Sequence, residues 1–267
     1  MCAKSKRTGL ENGVFSGSVK KAADAQAALP QEVLTRLASE ALRRVAELGA
    51  VRVAPPEPEV VAAFCTELLA SDTYAGARFV ERAMEQGATL NDIYLGYMTE
   101  AARHLGRLWQ RSEASLFDVS LATARMQAIV RVLSMQASAQ LPLKGRAAVF
   151  VQVPDEPHVL GLKIATDLYR RAGWDIALLV GMDHGEILKR IQKMDVGLVG
   201  LSISGQHAAP SLSALVMAMR ILRPELKIVV CGNLVAEDPM LAEIALPDAT
   251  AATYEESVPV FEGFIAA

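Results

Sequence analysis

The sequence predicts an N-terminal helical bundle followed by a doubly wound, flavodoxin-like parallel-sheet domain. Three observations predict it. Apolar residues recur at helical spacing from Pro30 to about Leu141. After the linker "LPLKGRA" the period changes to short apolar runs. Those runs alternate with helix-like segments, the pattern of a parallel sheet covered by helices on both faces. The expected division is an arm over 1–28, a helical bundle over 29–141 and an α/β domain over 146–267.

Residues 1–28 are polar and rich in Gly, Ser and Lys, which reads as a mobile arm. The first helix places Val33, Leu34, Leu37, Leu42, Val45 and Leu48 on one side. A second starts in "PEPEVV", where proline suits a helix N-terminus. A third ends on Gly87, a C-cap signal. The fourth starts at Thr89, with Asp92 in its first turn, and the fifth is capped by Ser115. Met126 and Met135 read as core filler. Beyond the linker, "AAVFVQV", "DIALLVG", "VGLVGLS", "KIVVCG" and "DATAA" read as strands, near-continuously apolar because both faces are covered. Helices are expected to begin near Pro157, Asp183, Pro210, Pro239 and Glu255.

Composition narrows the function. A net charge of −3 and 5% aromatic residues give no global basis for nucleic-acid or anionic-membrane binding. Cys2, Cys65 and Cys231 are far apart and odd in number, which points to a reducing compartment rather than a disulfide or zinc framework. No apolar run has transmembrane length, and Lys4, Lys6 and Arg7 precede no apolar signal core. The expectation is a cytoplasmic protein that does not engage membranes.

In doubly wound sheets, ligands bind beyond the carboxyl ends of the strands at the switch point. The loops "PDEPHVLG", "SISGQHAAPS" and "CGNLVAEDP" leave the first, third and fourth strands and can share one site. That site would gather Asp155, Glu156, His158, Gly161, Ser202, Ser204, Gln206, His207, Ser211, Gly232 and Asn233. There is no GxGxxG after the first strand, no phosphate-binding P-loop and no GxSxG elbow. Ser202 or Ser211 could serve His158 as a nucleophile, yet nothing else marks a hydrolase. An exposed imidazole oriented by a nearby carboxylate suits a metal held in a flat macrocycle, because the carboxylate fixes the tautomer and raises basicity.

"EPHVLG" resembles the Asp-x-His-x-x-Gly motif of cobalamin-binding domains, through Glu156, His158 and Gly161. "GLSIS", with Ser202 and Ser204, resembles their Ser-x-Leu element, and "VCGN", with Gly232 and Asn233, their Gly-Gly element. "LGRLWQRSEASLFDVSLATARM" resembles their helical cap. The order of cap and binding domain is similar to cobalamin-dependent regulators, most specifically the AerR/PpaA family of photosynthesis-gene regulators from purple bacteria. The resemblance implies that His158 binds cobalt as the lower axial ligand and that Glu156 is its hydrogen-bond partner. It also implies that Ser202, Ser204 and Gly232 line a channel for the displaced nucleotide tail, and that Trp109 covers the upper corrin face. It implies a cobalamin-binding (hydroxo- or adenosyl-), non-enzymatic, light- or cobalamin-responsive regulator. Its partner would be a transcriptional repressor of the PpsR/CrtJ type, with direct DNA contact through the basic arm as a lesser route.

The sequence departs from the family pattern in three places. The motif acid is Glu156, one methylene longer than Asp, and Asp155 competes for the same imidazole. Asn233 replaces the second glycine. Val119 and Ser120 stand where light-sensing relatives carry a Glu-His pair, leaving His104 as a substitute upper ligand. Two other readings stay open: a corrinoid methyl carrier of a methyltransferase system, and a haem sensor using His158 with His207 or His104.

Overall fold

A computed structural model describes residues 54–136 and 142–266. The arm, the helix expected over 30–48 and the residues just before Pro142 lie outside the described residues.

Four helical segments make the first layer. Helix α1 (Pro58–Leu69) starts on proline and buries Val61, Phe64, Cys65 and Leu68, a stripe with the 3.6-residue period. Helix α2 (Ala75–Glu85) packs against it through Gly76, where a Cβ would come 2.8 Å from Leu68 Cδ2. Gly87 (φ 101°) ends the helix: its N–H and that of Ala88 donate to Met84 and Ala83 carbonyls, closing the last turn. Thr89 and Asp92 cap each other reciprocally at the next start. The helix expected from Thr89 opens with seven π-wound residues, Asp92–Met98, before continuing as α3 (Thr99–Gln110). The Thr99 hydroxyl donates to the Tyr94 carbonyl in this wider turn. Helix α4 (Leu116–Met135) starts in a capping box of Ser115 and Asp118.

The second layer is a five-stranded parallel sheet: β1 (Ala147–Gln152), β2 (Asp175–Leu179), β3 (Leu198–Ser202), β4 (Lys227–Cys231) and β5 (Ala249–Ala251). Spatial order is β2-β1-β3-β4-β5, so the order reverses between β1 and β3. Between the strands run α5 (Leu160–Arg171), α6 (His184–Gln192), α7 (Ala209–Leu222), the short α8 (Asn233–Glu237) and α9 (Pro239–Ile244), and finally α10 (Tyr254–Ala266). Val149 and Val151 pack toward α6 and α7. Ala148 and Phe150 point the other way, toward α5 and α10, where Phe150, Tyr169, Trp174 and Phe261 meet edge to face. Helix α5 starts at Leu160, three residues later than Pro157, because the intervening residues form the loop that carries His158.

Helix α5 belongs to both layers. Its Leu160, Ile164 and Leu168 join the bundle core, while Leu162 and Tyr169 join the sheet core. A polar seam runs beside this contact. The Tyr94 hydroxyl donates to Asp167 Oδ2 at 2.8 Å, Arg171 Nε donates to the same oxygen at 2.8 Å, and Arg171 also reaches the Leu133 carbonyl at 2.9 Å. Lys163 donates to Gln127 at 2.8 Å. Burial, then the hydrogen bond to Asp167, holds the Tyr94 phenol well above its ordinary pKa.

Candidate functional site

The β1–α5 loop is fastened before it displays its histidine. The Val153 N–H donates to the Ser202 carbonyl, and Glu156 N–H turns back to the Val153 carbonyl. Asp155 takes φ 68°, a left-handed conformation that aspartate tolerates better than most residues. Gln152, the last residue of β1, clamps the loop. Its amide NH2 donates to the Glu156 carbonyl, and its side-chain oxygen accepts the Gly181 N–H at 2.9 Å.

Glu156 is 3% exposed, and its carboxylate accepts four N–H groups. Oε1 takes the backbone N–H of His158 at 2.8 Å and its ring Nδ1 at 2.5 Å. Oε2 takes the backbone N–H groups of Ser204 (2.6 Å) and Gly205 (3.1 Å) at the end of β3. Burial alone would raise this carboxyl's pKa; the four donors, the imidazole first, outweigh it and hold the group down at about 2. An ionised carboxylate only accepts, so Nδ1 of His158 carries the proton. Nε2 is therefore the lone-pair atom in the neutral ring. The His158 side chain is 66% exposed. Its pKa is raised by the bond to Glu156, against a smaller effect of burial. A basic, oriented, outward-facing imidazole nitrogen is the donor a transition metal needs at an axial position.

The longer acid thus reaches His158 directly, and Asp155 does not compete for it. The Asp155 carboxylate accepts the Ser211 hydroxyl at 2.5 Å, and its backbone carbonyl meets His207 Nε2 at 3.1 Å. His184 Nε2 faces the Ser211 carbonyl at 3.0 Å. Gly161, in the first turn of α5, is exposed and faces open space. Ser202 and Ser204 are half-buried at the β3 end. Gly232 (φ 116°) follows β4, where a Cβ would lie 2.3 Å from the Ile203 carbonyl oxygen. Only glycine fits there. Asn233 is exposed and donates to Glu237 at 2.6 Å, so one glycine suffices for the close approach of these two loops.

The bundle reaches over the same end of the sheet. The contacts Gln127–Lys163 and Leu133–Arg171 advance in the same direction, so α4 and α5 run parallel. Leu160, the first residue of α5, therefore lies near the level of Ala124. The residues of α4 before that level project past α5 by about 12 Å at 1.5 Å per residue. This overhang carries Leu116 and Phe117, and Trp109 lies in the last turn of the neighbouring α3; all three are at least half exposed. Trp109 and Leu116 border a depression of ≈340 Å3. Val119 is half-buried against the bundle core and Ser120 exposed, while His104 is half-buried on α3. The donor set fits cobalamin: one oriented imidazole at the strand ends, glycine and open space beside it, and apolar side chains on the overhang. Sequence reasoning missed Gln152, the Gly205 N–H, Leu116 and Phe117. A lone glutamine ending an apolar strand was the available signal for the first.

Two family models, each described as a B12 binding domain, match residues 146–260 and 60–134. No curated protein matches the chain. Among solved structures, the Methanosarcina barkeri monomethylamine corrinoid protein is similar, with TM-score 0.63 and 16% identity over 76% of this chain and 96% of that one. A cobalamin-binding protein from Desulfitobacterium hafniense DCB-2 gives TM-score 0.41 and 19% identity, covering 76% and 98%. The methanol:cobalamin methyltransferase complex MtaBC from Methanosarcina barkeri gives 0.41 and 14%, covering 92% of each chain. Over residues 60–134 and 146–260 the chain therefore belongs to the B12-binding domain family, as a helical cap followed by a Rossmann-like domain.

Proposed function

We propose that this chain binds cobalamin between the cap overhang and the strand ends, with His158 Nε2 on cobalt, and works as a regulator rather than an enzyme. The observation that carries the ligand assignment is the 2.5 Å contact between His158 Nδ1 and the buried, ionised Glu156. Bound cobalamin would supply an exchangeable upper coordination site. The chain's own residues hold the His158 proton on Nδ1 and keep Nε2 free, and Trp109, Leu116 and Phe117 would cover the bound corrin. Trp109, Leu116 and Phe117 would fit the two states of the bound cofactor differently, and a partner that distinguishes the two fits would be recruited or released. The family resemblance supplies the partner class, a transcriptional repressor of the PpsR/CrtJ type.

Titration with hydroxocobalamin, followed by absorbance, tests the ligand. His158→Ala should lose most of the affinity and the imidazole-ligated spectrum; unchanged binding and spectrum would remove His158 from the site. The regulatory step is tested by repressor binding to the loaded and unloaded chain, in light and in darkness. Equal repressor binding in all four states would reject it. A second reading, a corrinoid methyl carrier, is favoured by one observation: the fold is similar to that of the monomethylamine corrinoid protein, at TM-score 0.63. Transfer of a methyl group from the loaded chain to a partner methyltransferase's acceptor would select that reading.

A further inference from the structure

Helices α4 and α5 do not close along their whole length. Beside the Tyr94–Asp167–Arg171 seam, toward the edge strand β2, they leave a cleft of ≈300 Å3. Its shape has a local cause. Ala124 and Ala128, one turn apart on α4, put no side-chain bulk between the helices at that level.

The walls are rich in donors and poor in negative charge. Arg131 enters from α4, and Lys163 and Arg170 from α5. Among the described residues none of the three pairs with a carboxylate. Arg170 spends Nε and one terminal nitrogen on the Ile176 carbonyl, leaving the other terminal nitrogen. Lys163 gives one N–H to Gln127, leaving two. The one acid in the wall, Asp167, has its Oδ2 occupied by Arg171 and the Tyr94 hydroxyl and is only 7% exposed. Three cations therefore face a small space with little to compensate them, in a chain of net charge −3. The Arg131 guanidinium, the remaining terminal nitrogen of Arg170 and an ammonium are complementary to an acceptor-rich ligand with more than one anionic group. The volume is at the small end of ligand pockets, about 300–1,000 Å3.

We propose that this cleft is a second binding site, for a compact polyanion bearing phosphate or carboxylate groups. The ligand would bridge Arg131 of the cap to Lys163 and Arg170 of the sheet domain. It would thus tie together the two layers between which, on the reading above, cobalamin sits. Anion and cofactor would then change each other's affinity by the same factor, typically about 5–150-fold.

Calorimetric titration of the cofactor-free full chain with pyrophosphate, and separately with citrate, tests the site without reference to cobalamin. Saturable binding of one equivalent of either probe is expected. The tighter probe identifies the phosphate or carboxylate source. Arg131→Gln and Lys163→Gln should each weaken binding about tenfold, a loss of one charge-assisted contact. Ala128→Leu, which keeps every charge and fills the space, should do the same. Arg190→Gln, on the distant α6, should leave binding unchanged. Circular dichroism and melting curves establish that the variants fold. The site is overturned if neither probe saturates below about 10 mM. It is also overturned if Arg190→Gln weakens binding as much as the cleft variants, or if Ala128→Leu folds and binds like wild type. Repeating the hydroxocobalamin titration with and without pyrophosphate reads the coupling. Equal affinities would refute the coupling, whatever the anion titration gives.

Discussion

Glu156 is where sequence and geometry meet most closely. Its spacing to His158 was legible because a strand, two acids, a histidine and a glycine follow in a fixed order. Its four donors were not legible, since Ser204 and Gly205 lie 48 and 49 residues away and contribute backbone N–H groups that no residue type announces. Glu156→Gln keeps the shape, removes the charge and turns one acceptor into a donor. Hydroxocobalamin affinity should fall about 10–100-fold, as for other groups that orient metal-binding histidines, read by the same absorbance titration. The cofactor-free protein should also lose stability in a pH-dependent way. The Glu156 pKa is lowered from 4.5 to about 2, so its contribution is present above pH 4.5 and fades as pH falls toward 2. The His158 pKa is raised from 6.5, so its contribution is full below pH 6.5 and is lost as pH rises through the folded value. Urea unfolding of wild type and Glu156→Gln should therefore differ most between pH 4.5 and 6.5. A difference that stays constant from pH 3 to 9 would show that the ion pair does not contribute.

At the scale of elements, the five strands were legible because each is a near-continuous apolar run. Their carboxyl-end loops could be assigned to one site from the switch-point rule alone. The cap helices were legible from periodicity and from Thr89 and Ser115 as caps. The π-wound stretch was not, because Asp92–Met98 carries the same apolar spacing an α-helix would. Its consequence lies in the seam, where the wider turn accompanies the burial of Tyr94 against Asp167, a contact spanning 73 residues of sequence. Tyr94→Phe deletes that hydroxyl and leaves Arg171 as the partner of Asp167 Oδ2. Hydrogen bonds to charged groups contribute about 1.5–3 kcal/mol, so unfolding in urea should show a loss of that size. A loss below about 0.5 kcal/mol would mean that water replaces the phenol at no cost.

For the whole molecule, the decisive feature is that α5 carries core residues of both layers. Leu160, Ile164 and Leu168 face the bundle while Leu162 and Tyr169 face the sheet, so neither layer keeps its packing when the other unfolds. Cap and sheet domain should melt in one transition, monitored together by far-ultraviolet dichroism and by the fluorescence of buried Trp174. A ligand held between the layers binds only when both are folded, and it then stabilises both. At a free concentration a hundredfold above Kd this linkage adds about 2.7 kcal/mol. For a unit of this size each kcal/mol moves Tm by about 2–4 °C. Hydroxocobalamin should therefore raise Tm by about 5–10 °C without splitting the transition. At the same concentration His158→Ala should show little of that rise, because the proposed bond from His158 Nε2 to cobalt could not form. If the cofactor instead stabilises only one of two separated transitions, it is held by one layer alone, and the overhang of α4 plays no part in binding it.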